Sequence, residues 1–361
     1  MQTVKVDLAD RSYKVYIGTG LLGKPHPAFE SGSGSTILIV STETVAPLYM
    51  DSLASSLEGT DIHRLILPDG ETYKTSEYWS QIIDRLIEIR ATRDTTLITL
   101  GGGVIGDLGG FAAASYMRGI NFIQVPTSLL AQVDASVGGK TGFNHPRGKN
   151  LVGAFHQPGA VLVDIDTLGT LPAREFFAGL AEVVKIAAVR DGDFLKWLEN
   201  NAMAIIAREP EELTEMIRRS IANKADIVAE DEREAGVRAL LNFGHSFAHA
   251  LETLTGYRQY LHGEAVAIGM MVASRLSELR GLCDTGVSER LGELLHSFKL
   301  PLTIPCEVET DDILETMKLD KKVIAGSTRL ILLKSAGQGF IDNTSDRQQI
   351  VTAIKASQSI N

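Results

Sequence analysis

The chain has 361 residues, of which 44% are hydrophobic and 22% charged, and its formal net charge is −10. This length suits two domains, or one large α/β domain with an addition. The hydrophobic content is ordinary for a soluble globular protein. The acidic balance argues against nucleic acid as a partner, because binding a phosphate backbone usually needs a basic face. An anionic ligand would therefore have to meet a local cluster of Lys and Arg.

Two further features of the sequence bear on location. The two cysteines, Cys283 and Cys306, have neither the spacing of a metal site nor that of a disulfide framework. Residues 1–15 lack the apolar core of a signal peptide, and the longest apolar helical run, residues 265–273, is too short to span a membrane. We therefore expect a cytoplasmic protein with no membrane partner.

The first half of the chain alternates predicted strands with turns and helices. Several strands are unbroken apolar runs, which is typical of strands covered on both faces. The predicted strands are 4–8, 14–17, 36–40, 64–67, 96–100, 122–125 and 161–163, and a helix is predicted at 76–89. This alternation favours a mostly parallel, Rossmann-like sheet of the nucleotide-binding type.

From Pro172 onward, apolar residues recur at three- and four-residue spacing, which predicts helices. The predicted helices are 175–189, 194–207, 211–230, 238–254 and 264–279, and 328–333 is predicted as a late strand. The change of pattern and the proline predict a domain boundary near 171–172. We expect an α/β + α fold: a nucleotide-binding α/β domain over 1–171, a mainly helical domain over 172–361, and a cleft between them.

A stretch of the helical half, residues 241–249, contains His245 and His249, and His262 follows thirteen residues later. If the stretch is helical, His245 and His249 project from one face, a spacing that can present two imidazoles to one metal. A single histidine in a helix is more often solvated or satisfied than a ligand. Three of the chain's 8 histidines close to Asn242 favour a functional site.

A glycine loop, Gly101–Gly106, connects an apolar strand to the start of a predicted helix. This arrangement lets backbone N–H groups and a helix N-terminus approach a pyrophosphate, and a Cβ would hold the phosphate away. The loop matches neither the common G-x-G-x-x-G pattern nor a P-loop, so a tight turn is the alternative to a dinucleotide site. Asp107, which follows the loop, could cap the helix.

Between residues 124 and 150, charged and amide side chains alternate with glycines in a way that serves neither a core nor an amphipathic helix. Lys140, Lys149 and Asn150 can donate to phosphate or hydroxyl oxygens, and Asp134 can accept from a hydroxyl. The alternative is a polar surface loop.

Glu182 and Lys185 lie three residues apart in an otherwise apolar predicted helix. They could form an ordinary surface pair worth a few tenths of a kcal/mol. If they are buried instead, each charge needs a partner or a metal.

Taken together, these motifs resemble the 3-dehydroquinate synthase family of sugar phosphate cyclases. The resemblance covers nearly the whole chain, and its ordered set of motifs is specific although no single motif is. The matching segments are 68–74 (Pro-Asp-Gly-Glu-Thr-Tyr-Lys), 101–107, 125–140, 182–185, 242–249, 262–264 and 319–322 (Leu-Asp-Lys-Lys).

The resemblance implies NAD bound by the first domain and a divalent metal, zinc or alternatively cobalt, bound between the domains. It implies Glu182, His245 and His262 as metal ligands, which leaves a coordination position for substrate. The chain has Ser41-Thr42-Glu43 where the family often carries Asp or Asn near the ribose. The residues implied along NAD are Thr42, Glu71, Lys74, Gly102, Gly103, Asp107, Thr127, Ser128, Leu130, Lys140, Lys149, Thr167, Thr170, Leu171 and Glu175.

The implied substrate is 3-deoxy-D-arabino-heptulosonate 7-phosphate, which carries a carboxylate and a phosphate. The resemblance implies a homodimer in which Arg118 reaches the neighbouring site. The implied substrate contacts are Arg118, Lys140, Asn150, Lys224, Arg238, Asn242 and one of Lys321 and Lys322, with Lys322 preferred. The implied catalytic groups are Glu234, His249, Lys185 and Asp134.

The chemistry implied by the family begins with oxidation of a ring hydroxyl by NAD, followed by loss of phosphate. The same NADH then reduces the ketone, and the ring opens and closes again by an intramolecular aldol step. Because the cofactor is regenerated in each cycle, it must stay bound. Glu234 and His249 are the expected proton-transfer groups, unless the departing phosphate is itself the base.

Three other functions compete with this interpretation. Another sugar phosphate cyclase would change groups around the carboxylate and phosphate, whereas Lys224, Arg238, Asn242 and His249 are all present. An NAD-linked, metal-dependent polyol dehydrogenase would have no need of the 140–150 phosphate cluster. A catalytically inactive dinucleotide-binding protein would not need every expected reactive group.

Overall fold

A computed structural model describes residues 1–30, 36–57, 59–319, 323–324 and 327–359. The chain divides into two compact units: unit 1 is Met1–Pro172 with Leu213–Arg233, and unit 2 is Ala173–Glu212 with Glu234–Asn361. Residues 213–233, which the sequence predicted in the second domain, thus group with unit 1. One physical reason is that Lys224 of this segment hydrogen-bonds to Asp134 of unit 1.

Unit 1 is built on a seven-stranded sheet in the order β1-β2-β9-β6-β5-β3-β4. β1 and β2 are antiparallel, and all the other neighbouring strands are parallel. The predicted mostly parallel sheet is therefore confirmed. In chain order the strands are β1 Gln2–Val6, β2 Tyr13–Gly18, β3 Thr36–Thr42, β4 Asp61–Leu67, β5 Thr96–Gly101, β6 Asn121–Pro126, β7 Lys140–His145, β8 Gly148–Phe155 and β9 Ala160–Asp164. β7 and β8 pair with each other as a separate antiparallel hairpin.

Helices cover both faces of this sheet: α1 (Ala46–Ser55) one face, and α2 (Ser76–Glu88) with α3 (Gly103–Ser115) the other. Successive side chains of a strand point to opposite faces. In β3, Ile37 and Ile39 therefore pack in the core with α1, while Leu38 and Val40 pack in the core with α2 and α3. Burial on both faces explains the unbroken apolar runs.

The carboxyl ends of β3, β5 and β6 lie side by side, because Ser41 pairs with Leu100 and Leu100 pairs with Val125. From β3 the chain passes through α1 to β4 at one side, and then returns to place β5 at the other side of β3. Open α/β sheets bind ligands outside the carboxyl ends of their strands at such a switch point. The glycine loop follows β5 at this position.

Unit 2 is mainly helical, as predicted, with α8 at its centre. α8 packs against α4, α7, α9, α11 and a late strand, β12, and most of its residues are buried. The helices of this unit are α4 Ala173–Arg190, α5 Gly192–Ile206, α7 His245–Leu254, α8 His262–Leu279, α9 Val287–Ser297, α10 Thr310–Leu319 and α11 Arg347–Lys355. Most of α6, Pro210–Glu230, groups with unit 1 instead. The late strands are β10 Val323–Ile324, β11 Ser327–Thr328, β12 Leu330–Ser335 and β13 Gln338–Asp342.

The predicted continuous helix 238–254 is wrong. The structure has a short 3₁₀ helix, Val237–Asn242, and α7 begins only at His245. Gly244 separates the two with a left-handed backbone, φ 78°, which favours glycine. A Cβ at this position would also stand 2.6 Å from the backbone nitrogen of Met270 on α8. The break therefore lets the chain turn where α7 packs closely on α8.

The late strand predicted at 328–333 is one half of a hairpin, because β12 pairs with β13. The sequence pattern did not predict β13 or the hairpin β7–β8. Nor did it predict α1 and the last three helices, α9, α10 and α11. Within the described residues, no helix is long and apolar enough to cross a membrane.

Candidate active site

Three side chains of unit 2 converge into a group that can hold a metal. Glu182 lies in the middle of α4, and His245 and His262 are the first residues of α7 and α8. One ligand atom from each lies within 4.8 Å of the others. Each histidine Nε2 is 3.7 Å from Glu182 Oε1. The trio is the one implied by the resemblance.

Hydrogen bonds at the opposite ring nitrogen orient both histidines. His245 Nδ1 is 3.2 Å from the carbonyl oxygen of Phe243, and His262 Nδ1 is 3.3 Å from Glu252 Oε1. A carbonyl and an ionised carboxylate can only accept, so in the neutral form of each ring Nδ1 carries the proton and Nε2 keeps the lone pair. In that form both lone pairs are on the nitrogens nearest Glu182.

Glu182 is 3% exposed, and neither carboxylate oxygen accepts a hydrogen bond from the described residues. Its Oε2 forms an ion pair with the ammonium of Lys185, which is also buried. The pair is therefore a buried one rather than the surface pair left open by the sequence. A buried carboxylate with an oxygen lacking a donor, beside two imidazole nitrogens, fits a divalent cation.

The carboxylates also affect the protonation of His262. Burial lowers the pKa of this imidazole, but the hydrogen bond to Glu252 and the negative charges of Glu252 and Glu182 outweigh burial and leave the pKa above its ordinary value. Deprotonated His262 is the form that can bind a metal. Loading with metal therefore releases a proton wherever this imidazole is still protonated.

His249 lies next to the trio without belonging to it. Its ring centroid is 5.5 Å from that of His245 and 6.2 Å from that of His262. The sequence predicted that His245 and His249 share one helix, and both do lie in α7. The structure nevertheless joins His245 with Glu182 and His262, from two other helices, in the ligand group.

Other residues of unit 2 with predicted roles lie just before α7. Arg238, in the 3₁₀ helix, is 1% exposed despite its charge. Asn242 donates from Nδ2 to Glu234 Oε1 at 2.7 Å, so the two predicted residues are partners. Glu234 has a positive φ of 60°, which shows that this carboxylate sits on a tightly turned backbone.

In unit 1 the glycine loop leads into α3, whose N-cap residue makes no side-chain hydrogen bond to the first turn. Gly102 is the residue before the helix and makes no side-chain cap, so Asp107 is not the cap and lies inside α3 instead. A Cβ on Gly103 would stand 3.3 Å from Ala135, and one on Gly102 would stand 3.5 Å from Ser128 Oγ. The first-turn N–H groups, which the N-cap side chain does not bind, lie at the switch point of the sheet and fit a pyrophosphate.

Lys74 joins two neighbours of this loop. Its Nζ donates to Asp107 Oδ2 at 2.5 Å and to Asn150 Oδ1 at 2.7 Å. Burial raises the pKa of Asp107, while the ammonium of Lys74 acts in the opposite direction. Asn150, predicted at the substrate, thus shares a contact with residues predicted along NAD.

The hairpin β7–β8 supplies further partners for the predicted NAD residues. Asn144 donates to Glu71 Oε1 at 2.8 Å, and Lys149 Nζ lies 3.7 Å from the same oxygen. Lys140, at the start of β7, is exposed. What the sequence left open as a polar surface loop is therefore an ordered hairpin linked to Lys74 and Glu71.

The remaining predicted NAD residues of unit 1 are at or just after the carboxyl ends of strands. Thr42 ends β3, and Thr127 and Ser128 follow β6, with Leu130 two residues further on. Thr167 and Thr170 belong to a 3₁₀ helix after β9, and Leu171 ends it. Glu175, by contrast, is an exposed residue of α4 in unit 2.

Two residues that the sequence analysis did not single out hold this edge of the sheet. Gln132 is fully buried, and its amide donates to the carbonyl oxygens of Pro126 and Asp164 and to Thr167 Oγ1. Tyr49 forms a 2.5 Å hydrogen bond with Thr170 Oγ1. A polar residue in an apolar run, such as Gln132, was the available signal.

Asp134 and Lys224 are also brought together. Lys224 Nζ donates to the backbone oxygen of Asp134 at 2.6 Å and to its Oδ1 at 2.5 Å. Asp134 lies in a π-helical turn, Ala131–Ala135, a feature common at functional sites. Arg118 is exposed and has a left-handed φ of 66°. Lys321 and Lys322 lie outside the described residues.

Family comparisons match both parts of the chain. Residues 64–178 match the 3-dehydroquinate synthase N-terminal family, and residues 179–323 match the 3-dehydroquinate synthase C-terminal family. The 3-dehydroquinate synthase of Hydrogenovibrio crunogenus is 52% identical over 341 residues, which are 94% of this chain and 95% of the relative. That of Pseudomonas putida is 51% identical over 356 residues, 99% and 98% of the two chains. The chain belongs to the 3-dehydroquinate synthase family.

Solved structures of related cyclases share the fold over nearly the full length. The 2-epi-5-epi-valiolone synthase ValA of Streptomyces hygroscopicus, solved with NAD⁺ and Zn²⁺, has a TM-score of 0.88 at 29% identity and covers 97% of this chain and 98% of its own. A 2-deoxy-scyllo-inosose synthase, complexed with carbaglucose-6-phosphate, NAD⁺ and Co²⁺, has a TM-score of 0.88 at 27% identity and covers 99% and 100%. A probable glycerol dehydrogenase of Sinorhizobium meliloti, at 18% identity and a TM-score of 0.59 over 95% of each chain, shares the fold alone.

Proposed function

We propose that this chain converts 3-deoxy-D-arabino-heptulosonate 7-phosphate to 3-dehydroquinate and phosphate, as a carbon–oxygen lyase that uses NAD catalytically. The observation that carries the proposal is the trio Glu182, His245 and His262, in which each histidine Nε2 lies 3.7 Å from one oxygen of the buried Glu182 carboxylate. The chain's membership of the 3-dehydroquinate synthase family supports this choice of substrate.

The trio would hold a divalent cation, zinc or alternatively cobalt. When bound, the cation would polarise a substrate oxygen, and NAD would take up and return one hydride. Two imidazoles and one carboxylate would leave a coordination position open for that oxygen. Lys185, paired with Glu182, supplies a positive charge beside the same carboxylate.

The side chains before and within α7 would handle the anionic groups and the protons. Arg238 carries a planar guanidinium that can bind a carboxylate or phosphate through two parallel hydrogen bonds. Asn242 holds the carboxylate of Glu234 by the 2.7 Å hydrogen bond, so Glu234 is oriented before substrate arrives. We assign proton transfer to this carboxylate and to the imidazole of His249.

In unit 1, the N-terminus of α3 would hold the pyrophosphate of NAD. Lys74, Glu71 and Lys149 would line the cofactor from the side of the hairpin β7–β8, together with the predicted residues at the strand ends. Asp134, held by Lys224, would accept a hydrogen bond from a substrate hydroxyl. Lys140, Asn150 and Lys322 complete the proposed substrate contacts.

The active form would be a homodimer in which Arg118 serves the neighbouring site. Its exposure and the left-handed backbone at Met117 and Arg118 support a projecting role. The hairpin strand β8 also exposes Leu151 at 43% and Phe155 at 45%, apolar surface of the kind that oligomer interfaces cover. The proposed cytoplasmic location rests on the sequence, including its two free cysteines.

The second candidate function is that of another sugar phosphate cyclase. The observation that favours it is the shared fold with the valiolone and inosose synthases. The test is to supply the heptulosonate phosphate with a substoichiometric amount of NAD, and to follow phosphate release together with absorbance at 340 nm. We expect many turnovers of phosphate per NAD with no net accumulation of NADH. Stoichiometric NADH from a polyol without phosphate release, or turnover of a sugar phosphate lacking the carboxylate, would contradict the proposal.

A further inference from the structure

Glu252 is a buried acid to which neither the sequence motifs nor the proposed reaction assigns a role. It lies in α7 and is only 4% exposed. Burying a carboxylate is costly unless it has a hydrogen-bonding partner. Among its contacts, Oε1 lies 3.3 Å from Nδ1 of His262.

The position of Glu252 on its helix explains how it reaches this histidine. His245 and Glu252 are seven residues apart, close to two helical turns, so both lie on the same face of α7. α7 packs on α8, and His262 is the first residue of α8. One face of α7 therefore carries both a ligand-forming imidazole and the carboxylate that contacts the other imidazole.

The two histidines of the trio differ in what holds them. His245 has its Nδ1 on a neutral carbonyl oxygen, that of Phe243, two residues before it in the chain. His262 has its Nδ1 on the carboxylate of Glu252. A carboxylate behind a ligating imidazole fixes the ring and makes its other nitrogen a stronger donor to a metal.

We infer that Glu252 is a positioning residue that holds His262 with its Nε2 lone pair toward Glu182 and thereby sets the affinity of this trio for a divalent cation. The inference rests on the metal site of the proposed function. It adds that the site depends on a fourth, non-ligating side chain. It also predicts an asymmetry, because a carboxylate contacts Nδ1 of His262 whereas a neutral carbonyl oxygen contacts Nδ1 of His245.

The first experiment measures Zn²⁺ binding rather than catalysis. Full-length protein is stripped of metal and titrated with Zn²⁺ against a competing chelator. Glu252→Gln keeps the size of the side chain and removes its charge, and we expect the dissociation constant to rise about 10- to 100-fold. Glu252→Asp keeps the charge but withdraws it by one methylene, so its loss of affinity should be smaller.

Asp342→Asn is the matched control. Like Glu252, Asp342 is a carboxylate of unit 2 that is 4% exposed. Its partners are Arg280, Thr344 and Ser345, none of which belongs to the trio. This variant should lose stability and keep the wild-type affinity for Zn²⁺. Wild-type affinity in Glu252→Gln, or an equal loss in Asp342→Asn, overturns the inference.

A second measurement needs no variant. Nitrogen–proton correlation spectra of the metal-free wild-type protein, recorded where His262 is neutral, should show its proton on Nδ1. A proton on Nε2 overturns the inference even if Glu252→Gln cannot be folded. These outcomes are separate from failure of the proposed function, which would appear as a full metal complement in His262→Ala or as no phosphate release by the wild type.

Discussion

A Cβ on Gly263 would overlap the backbone carbonyl oxygen of Ala178, so α8 and α4 meet there backbone to backbone. Glu182 lies one turn beyond Ala178 on α4, and His262 directly precedes Gly263 on α8. The closeness of this helix crossing therefore sets the distance between two of the three proposed ligands. Side-chain packing alone would hold the helices further apart.

Gly263→Ala should separate the two helices and weaken the metal site. We expect a loss of about 1–3 kcal/mol in unfolding free energy, as for other overpacked interiors. Zn²⁺ affinity should fall with it, measured by chelator competition. The control is Gly292→Ala in α9, where the added Cβ would meet mainly the flexible end of Met271 at 3.1 Å. Unchanged Zn²⁺ affinity in Gly263→Ala would show that the crossing does not set the ligand spacing.

His262→Ala and His249→Ala should separate metal binding from catalysis. Elemental analysis should find the metal absent from His262→Ala, and this variant should be inactive. His249→Ala should retain about one metal per chain, because His249 lies beside the ligand trio and not in it. Its turnover should still fall about 10²- to 10⁴-fold if the imidazole transfers a proton. Metal loss in the His249 variant would instead assign it to the metal.

Lys74→Met should destabilise unit 1, because it removes the ammonium that contacts the carboxylate of Asp107. Breaking such a pair leaves a poorly solvated charge, at a cost of about 1–3 kcal/mol in urea unfolding. The double variant Lys74→Met/Asp107→Leu should recover part of that loss. It should not recover NAD binding, measured by titration. A double variant less stable than the single one would contradict this account.

Asp342 should make the stability of unit 2 sensitive to acid. Burial opposes its ionisation, but hydrogen bonds from Thr344, Arg280 and Ser345 outweigh burial and lower its pKa from 3.8 to about 2. A carboxyl whose pKa is lowered by folding stabilises the protein at pH values above its pKa in the unfolded chain. This stability is lost as the pH falls through its pKa in the folded protein. The loss should approach about 2 kcal/mol between pH 4 and pH 2. Asp342→Asn should remove this part of the pH dependence, whereas Asp311→Asn, an exposed partner of Arg347, should not.

The sequence predicted the fold well where apolar pattern alone decides the element. β3 and β5 are covered on both faces, so their unbroken apolar runs identified them. The hairpin β7–β8 gave no such pattern, because β8 is exposed along most of its length. The break at Gly244 depends on its contact with Met270 of another helix, which no local pattern reports.

The proposed metal ligands could be predicted from the sequence, whereas the residues that support the site could not. Spacing along one helix suggested His245 with His249, and only the resemblance joined His245 to His262 and the distant Glu182. Glu252 and Gln132 were missed because their importance comes from partners remote in sequence: His262 for one, and Thr167 for the other. Such partners become visible only when the helices and strands are packed.

The buried carboxylates around the trio also impose an order of binding. Glu182 and Glu252 place two buried carboxylates at the trio, and the ammonium of Lys185 pairs with the first. A divalent cation adds two positive charges beside these carboxylates, and in a poorly solvated site such a change acts strongly on an anion. Metal should then precede the anionic substrate, and inorganic phosphate should bind more weakly to the stripped protein than to the Zn²⁺-loaded one. An enzyme whose overall charge repels its substrate would thus gain part of its attraction from the ion, beside its local arginine and lysines.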